Sequence, residues 1–143
     1  MQIKKPLKSV VLIDDSESDN FFHERKLKKM GVTDHITVCY SGQEALDYLQ
    51  TALEEGFYPK PSLIFLDINM PGMTGWEFLD HYNELMEDQK ADIVLTMLSN
   101  SIDPRDQARA RQSQYVNGYY SKPLQEDYLE QVMRQHFPAH IEE

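Results

Sequence analysis

The sequence predicts an α/β fold, a doubly wound five-stranded parallel sheet with five helices. Two observations carry this. Short apolar runs of β type alternate with helical segments along the whole chain, the pattern of parallel strands joined by right-handed helical crossovers. The central run, Leu63 to Leu66, is apolar at every position, as a strand covered on both faces must be. A length of 143 residues fits one domain with a proper core.

Taken in order, the first strand is Val10 to Ile13, stopped by the acidic pair Asp14 and Asp15. The helix after it, about Asp19 to Met30, is loosely amphipathic, with Phe22, Leu27 and Met30 on one side and Gly31 as its stop. Ile36 to Tyr40 is the second strand. Ser41 to Glu44 has the spacing of a capping box; Leu46, Leu49 and Leu53 follow at helical spacing, with Gly56 as the expected end. The stretch GFYPKPS over 56–62 reads as a stiff surface loop. After the third strand, Thr74 to Glu77 offers a second capping box, and its helix carries the stripe Phe78, Leu79, Tyr82, Leu85, Met86.

Ile93 to Leu98 is the fourth strand, ending at Ser99. Asp103 and Pro104 pair an N-cap with proline at the first helical position. The helix they open is poor in large apolar residues and is expected to pack least firmly. Gly118 to Ser121 is the fifth strand, ended by Lys122 and Pro123. Leu129, Val132, Met133 and Phe137 mark the last helix, and AHIEE after Pro138 is expected to be a loose tail with no output domain beyond it.

Composition excludes some functions. With 24 acidic against 14 basic residues the net charge is −10, which argues against a sequence-independent nucleic-acid binder. The single cysteine, Cys39, lies in an apolar run and reads as a buried structural thiol. No stretch approaches the ~20 apolar residues of a membrane span, and the N-terminus lacks the apolar core of a signal peptide, so a cytoplasmic location is expected. The five histidines, His23, His35, His81, His136 and His140, have no metal-ligand spacing.

The carboxyl ends of parallel strands gather at one edge of the sheet, where such folds hold their chemistry. Here that edge collects Asp14, Asp15, Asp67, Ser99 and Lys122. Carboxylates ~5 Å apart at an effective dielectric of ~20 repel by about 3 kcal/mol per pair. A hard divalent cation with oxygen ligands, Mg²⁺, would offset this. Lys122 adds a flexible point charge and Ser99 a hydroxyl donor, a set suited to a phosphoryl group with Asp67 as nucleophile. Taken singly, Asp67 could be a plain turn residue before Pro71 and Gly72, and Asp14 and Asp15 a turn pair. Five suitable residues at one edge favour the chemical reading.

The motifs VVLIDDS (10–16), LIFLDINMPGMTGWE (63–77), the strand ending at Ser99 and GYYSKP (118–123) carry a resemblance. Over about Lys8 to Phe137 the chain resembles the receiver domain of two-component response regulators, a flavodoxin-like fold with strand order 2-1-3-4-5. The resemblance implies that Asp67 accepts a phosphoryl group from a phosphohistidine of a sensor histidine kinase or a histidine phosphotransfer protein. It implies that Asp15, Asp67 and the backbone carbonyl of Asn69 hold Mg²⁺, with Asp14 helping through water. Ser99 would be the hydroxyl switch, Tyr119 its aromatic partner and Lys122 the counter-charge, with a cis bond before Pro123.

Two departures from the family stand out. Gln114, Tyr115 and Val116 occupy the place of a helix-ending glycine, so an irregular end is expected, since a left-handed Tyr115 would cost on the order of 1 kcal/mol. The segment from Asp15 to Asp67 is also longer than in the chemotaxis-type member. The output implied is altered protein–protein contact or onward phosphorelay, not enzymatic turnover. Arg105 and Arg109, four apart on the loosely packed helix, suggest a face for an acidic partner or a second copy of the chain. The alternatives are an aspartyl-nucleophile phosphohydrolase, disfavoured because Asn69 stands where such enzymes place an acid, and a receiver-like module that is never phosphorylated.

Overall fold

The computed structural model describes residues 1–53, 55–90 and 92–143. The strands are β1 (Gln2–Ile3), β2 (Val10–Ile13), β3 (Ile36–Cys39), β4 (Leu63–Asp67), β5 (Val94–Ser99), β6 (Val116–Ser121) and β7 (Ile141–Glu142). The helices are α1 (Glu17–Met30), α2 (Gly42–Gln50), α3 (Gly75–Asn83), α4 (Glu87–Lys90), α5 (Pro104–Gln112) and α6 (Glu126–His136), with a 3₁₀ turn over Pro138–His140. β3-β2-β4-β5-β6 form one parallel sheet, which is the predicted order 2-1-3-4-5. The helices number six among the described residues rather than five. The addition, α4, is a single turn of four residues, too short for any apolar periodicity to announce it.

Alternation along the strands divides the core in two. Val11, Ile13, Ile64, Leu66, Leu95 and Met97 face α2, α3 and Ala110 of α5. Val10, Leu12, Leu63, Phe65 and Leu98 face Leu27 of α1 and Leu129, Val132 and Met133 of α6. Both faces of β2 and β4 are buried, which is why these runs contain no polar residue before their terminal acids. Cys39 belongs to the first cluster; burial, aided by the Glu44 charge, pushes its thiol up to about 12, so it stays protonated and inert.

Local signals were obeyed to different degrees. Thr74 and Glu77 make the full capping box of α3. At α2, Ser41 caps the Glu44 amide, but Glu44 Oε2 accepts from the Tyr40 amide rather than that of Ser41, so the box closes one residue too far back. α2 ends at Gln50, with Thr51 as its extended C-cap, which leaves Leu53 exposed and Gly56 in a separate turn at φ 80°. Met86 likewise lies beyond the end of α3 and is exposed. The end of α5 needs no left-handed residue, because Ser113 leaves the helix in extended conformation.

Two expectations failed more plainly. Phe22 is exposed, and the buried face of α1 is Asn20, His23 and Leu27. The C-terminal tail is not loose: β7 pairs antiparallel with β1, Ile141 opposite Ile3. Leu7, before the expected start of the core, is buried as well.

Candidate functional site

Strand register brings the site together. Ile13 lies opposite both Cys39 and Leu66, Asp67 opposite Leu98, and Ser99 opposite Ser121. The ladder runs just past these ends: the amides of Asp14, Ile68 and Lys122 donate to the carbonyls of Cys39, Leu98 and Ser99 at 3.1, 3.2 and 2.7 Å. Gly75 opens α3 against the same edge. A Cβ there would sit 2.7 Å from the Asp67 carbonyl oxygen and 2.9 Å from the Ile68 Cα, so only glycine allows this approach.

Asp14, Asp15 and Asp67 each place a carboxylate oxygen within 4.8 Å of the others. Asp14 and Asp67 are buried and Asp15 is exposed. Lys122, its side chain 6% exposed, reaches into this group. Its ammonium donates to Asp14 Oδ2 at 2.6 Å and to Asp19 Oδ2 at 3.0 Å. Asp67 Oδ1 lies 3.3 Å away, interacting as a charge, and receives no hydrogen bond among the described residues. A buried carboxylate oxygen without a donor, beside two further carboxylates, fits a hard cation with oxygen ligands.

Electrostatics follow from this crowding. Burial, then the Asp14 charge, pushes the Asp67 carboxyl up to about 6, although Lys122 and the Asn69 amide pull it down. Burial works against the Lys122 ammonium, but its bonds to Asp14 and Asp19 outweigh that and hold it above the ordinary lysine value.

The remaining expected residues are placed as follows. Asn69 is exposed, two residues beyond Asp67. Ser99 is buried, and its Oγ donates to the Ser101 carbonyl at 2.6 Å. The half-buried Tyr119 donates its hydroxyl to that same carbonyl at 3.4 Å. The Lys122–Pro123 bond is cis. Arg105 and Arg109 stand apart on α5, the first bonded to Asp103 on its own helix terminus and the second stacked over Trp76.

A family model described as the response regulator receiver domain matches residues 10–134. The chain belongs to that family. Among curated relatives, this receiver domain is 27% identical to response regulator Rcp1 of Synechocystis sp. over 117 residues, 82% of this chain and 78% of that protein. It is 39% identical to two-component response regulator ARR6 of Arabidopsis thaliana over 100 residues, which is 67% of this chain and 52% of the relative. Among solved structures, a two component response regulator from Cytophaga hutchinsonii aligns with a TM-score of 0.84 at 34% identity, covering 94% and 99% of the two chains. Among the described residues, no helix of this receiver domain is long and apolar enough to cross a membrane.

Sequence reasoning missed the polar face that α1 turns to the site. Asn20 Nδ2 donates to the Asp14 carbonyl at 2.8 Å, and His23 Nε2 accepts from the Leu124 amide at 3.3 Å. His23 is buried and its pKa is lowered, first by that burial and then by the Lys122 charge, which keeps it a neutral acceptor. The available signal was the poor amphipathicity of this helix. A helix with too few apolar residues for its buried face must bury polar ones against polar partners.

Proposed function

We propose that Asp67 is the phosphoacceptor of this receiver domain, taking a phosphoryl group from a phosphohistidine of a sensor histidine kinase or histidine phosphotransfer protein. The observation that carries this is the assembly of Asp14, Asp15 and Asp67 within 4.8 Å, with Lys122 Nζ 3.3 Å from the donor-free oxygen of Asp67. A carboxylate oxygen of Asp67 forms the new P–O bond as the P–N bond of the donor breaks, and the departing imidazole takes up a proton. Asp14, Asp15, Asp67 and the Asn69 carbonyl would hold Mg²⁺. When bound there it neutralises charge on the phosphoryl oxygens. Lys122 supplies the second positive charge from the protein side.

The aspartyl phosphate carries about −1.5 to −2 charges at the edge of the sheet, where the carboxylate carried one. Ser99 and Lys122 would turn towards it, and Ser99 would leave the carbonyl of Ser101. Tyr119 shares that carbonyl, so its position is tied to the choice Ser99 makes. The output is a changed surface for protein–protein contact or onward transfer of the phosphoryl group. The amide of Asn69 leaves no general acid two residues after Asp67, which supports signalling over ester hydrolysis.

The test is incubation of the chain with Mg²⁺ and acetyl phosphate. One phosphoryl group per chain, lost with a chelator and in Asp67→Asn, is the expected result. Repeated turnover of phosphate esters would instead identify a hydrolase, and no label at all a binding module.

A further inference from the structure

Lys122 has three N–H bonds to give, and the structure shows acceptors for two of them. Two are committed, to Asp14 Oδ2 at 2.6 Å and to Asp19 Oδ2 at 3.0 Å. Asp67 Oδ1, at 3.3 Å, receives none. The ammonium is therefore drawn towards α1, away from the residue where the phosphoryl group would arrive. Asp19 is the third carboxylate around one lysine, and none of the strand-end chemistry requires it.

Its placement is enforced. Asp19 lies in the first turn of α1, where its amide donates to Ser16 Oγ. The next residue, Asn20, bonds the Asp14 carbonyl on β2's end, and His23, one turn on, bonds the Leu124 amide just past Lys122. These two bonds pin α1 between both sides of the site. Asp19 thus meets Lys122 by construction, although its side chain is 37% exposed.

We infer that Asp19 is a positioning residue that holds the Lys122 ammonium in the resting state and competes with the phosphoryl group on Asp67 for it. This rests on the phosphoacceptor reading given above. When Asp67 carries the phosphoryl group, Lys122 turns to its oxygens and the bond to Asp19 is given up. Asp19 thereby biases the domain towards its resting state without touching the phosphoryl group. Its loss should favour the loaded state by about two- to fivefold, the range of a partly exposed ion pair.

The experiment compares the full chain with Asp19→Asn, Asp19→Glu and Glu17→Gln. The last removes one negative charge from the same helix turn, two residues away, without contact to Lys122. In metal-free protein, the ¹⁵Nζ signal of Lys122 should move in Asp19→Asn and hold in Glu17→Gln. With Mg²⁺, beryllofluoride, a non-transferable phosphoryl analogue, should bind Asp19→Asn about two- to fivefold tighter than wild type. Asp19→Glu should return towards wild type on both readouts. Equal affinity in wild type and Asp19→Asn, or an equal gain in Glu17→Gln, overturns the inference. Failure of the wild-type chain to bind beryllofluoride in an Asp67-dependent way overturns the phosphoacceptor reading instead, and is seen before any Asp19 variant is made.

Discussion

The guanidinium of Arg109 lies 4.5 Å above the ring of Trp76. The indole of Trp76 also donates to Asp106 Oδ1 at 3.1 Å, so two residues of α5 are fastened to one aromatic side chain of α3. Among the described residues of α5, Ala110 alone is buried, so this clasp adds to the little apolar contact that the helix makes with the core. Trp76 itself follows Gly75, which packs against the Asp67 backbone. Arg109 is thus already engaged within the domain, and a contact with an outside partner would compete with the indole.

Replacing Arg109 by Ala should loosen α5. A cation–π contact at an exposed site is worth about 0.5–1 kcal/mol, and urea unfolding should register that loss. Trp76 emission should shift, and amides of 105–112 should exchange faster. Arg105→Ala removes a surface pair with Asp103 and should change stability by no more than about 0.5 kcal/mol. Equal effects from the two would remove the special role given to Arg109.

Asp67→Asn should stabilise the metal-free domain at neutral pH. The folded carboxyl is raised from 3.8 to about 6, so the folded state binds its proton more tightly than the unfolded chain does. Stability contributed by this group is present below pH ~4 and is lost as pH rises through ~6, by roughly 3 kcal/mol. Asparagine removes the buried charge while Lys122 keeps Asp14 and Asp19. The gain in urea midpoint should therefore be largest above pH ~6.5 and vanish near pH 4. Added Mg²⁺ should raise the wild-type unfolding free energy by about 2.7 kcal/mol at one hundred times its Kd, and that of Asp67→Asn far less.

The sheet and the acidic edge were legible because they follow from short-range pattern. Fully apolar runs stopped by polar residues mark parallel strands, and the topology then delivers Asp14, Asp67, Ser99 and Lys122 to one edge whatever the connecting loops do. The polar face of α1 was not legible. Asn20 and His23 carry no apolar signal, and their burial is explained only by partners outside the helix, the Asp14 carbonyl and the Leu124 amide, the second 101 residues from His23. Leu53 and Met86 were misplaced for a different reason: apolar periodicity continued past helix ends that backbone bonds, not side chains, decide.

Ser99→Ala should separate phosphorylation from its readout. The Ser99 hydroxyl donates to the Ser101 carbonyl, which Tyr119 also approaches, and losing it costs about 1 kcal/mol of stability. Labelling at Asp67 should persist, since the acceptor and Lys122 remain. A fluorotyrosine probe at Tyr119 should respond to phosphorylation in the wild type and stay unchanged in Ser99→Ala. A wild-type-sized response in the variant would show that Tyr119 does not follow Ser99.

Removing residues 138–143 should destabilise the N-terminal segment rather than the C-terminal one alone. The amides of Lys4 and Lys5 both donate to the His140 carbonyl, at 2.8 and 3.1 Å, and His140 Nδ1 lies 2.8 Å from the Lys5 carbonyl. Ile3 and Ile141 pack together against the face that α1 and α6 cover. Truncation strips these bonds and uncovers apolar surface at once, a loss of about 1–2 kcal/mol. In hydrogen exchange the Lys4 and Lys5 amides should become fast while amides of β2 and β4 stay protected. Mg²⁺ affinity should be unchanged, because the tail lies away from the acidic edge. Slow exchange at Lys4 and Lys5 in the truncated chain would mean that something other than β7 holds the N-terminus in place.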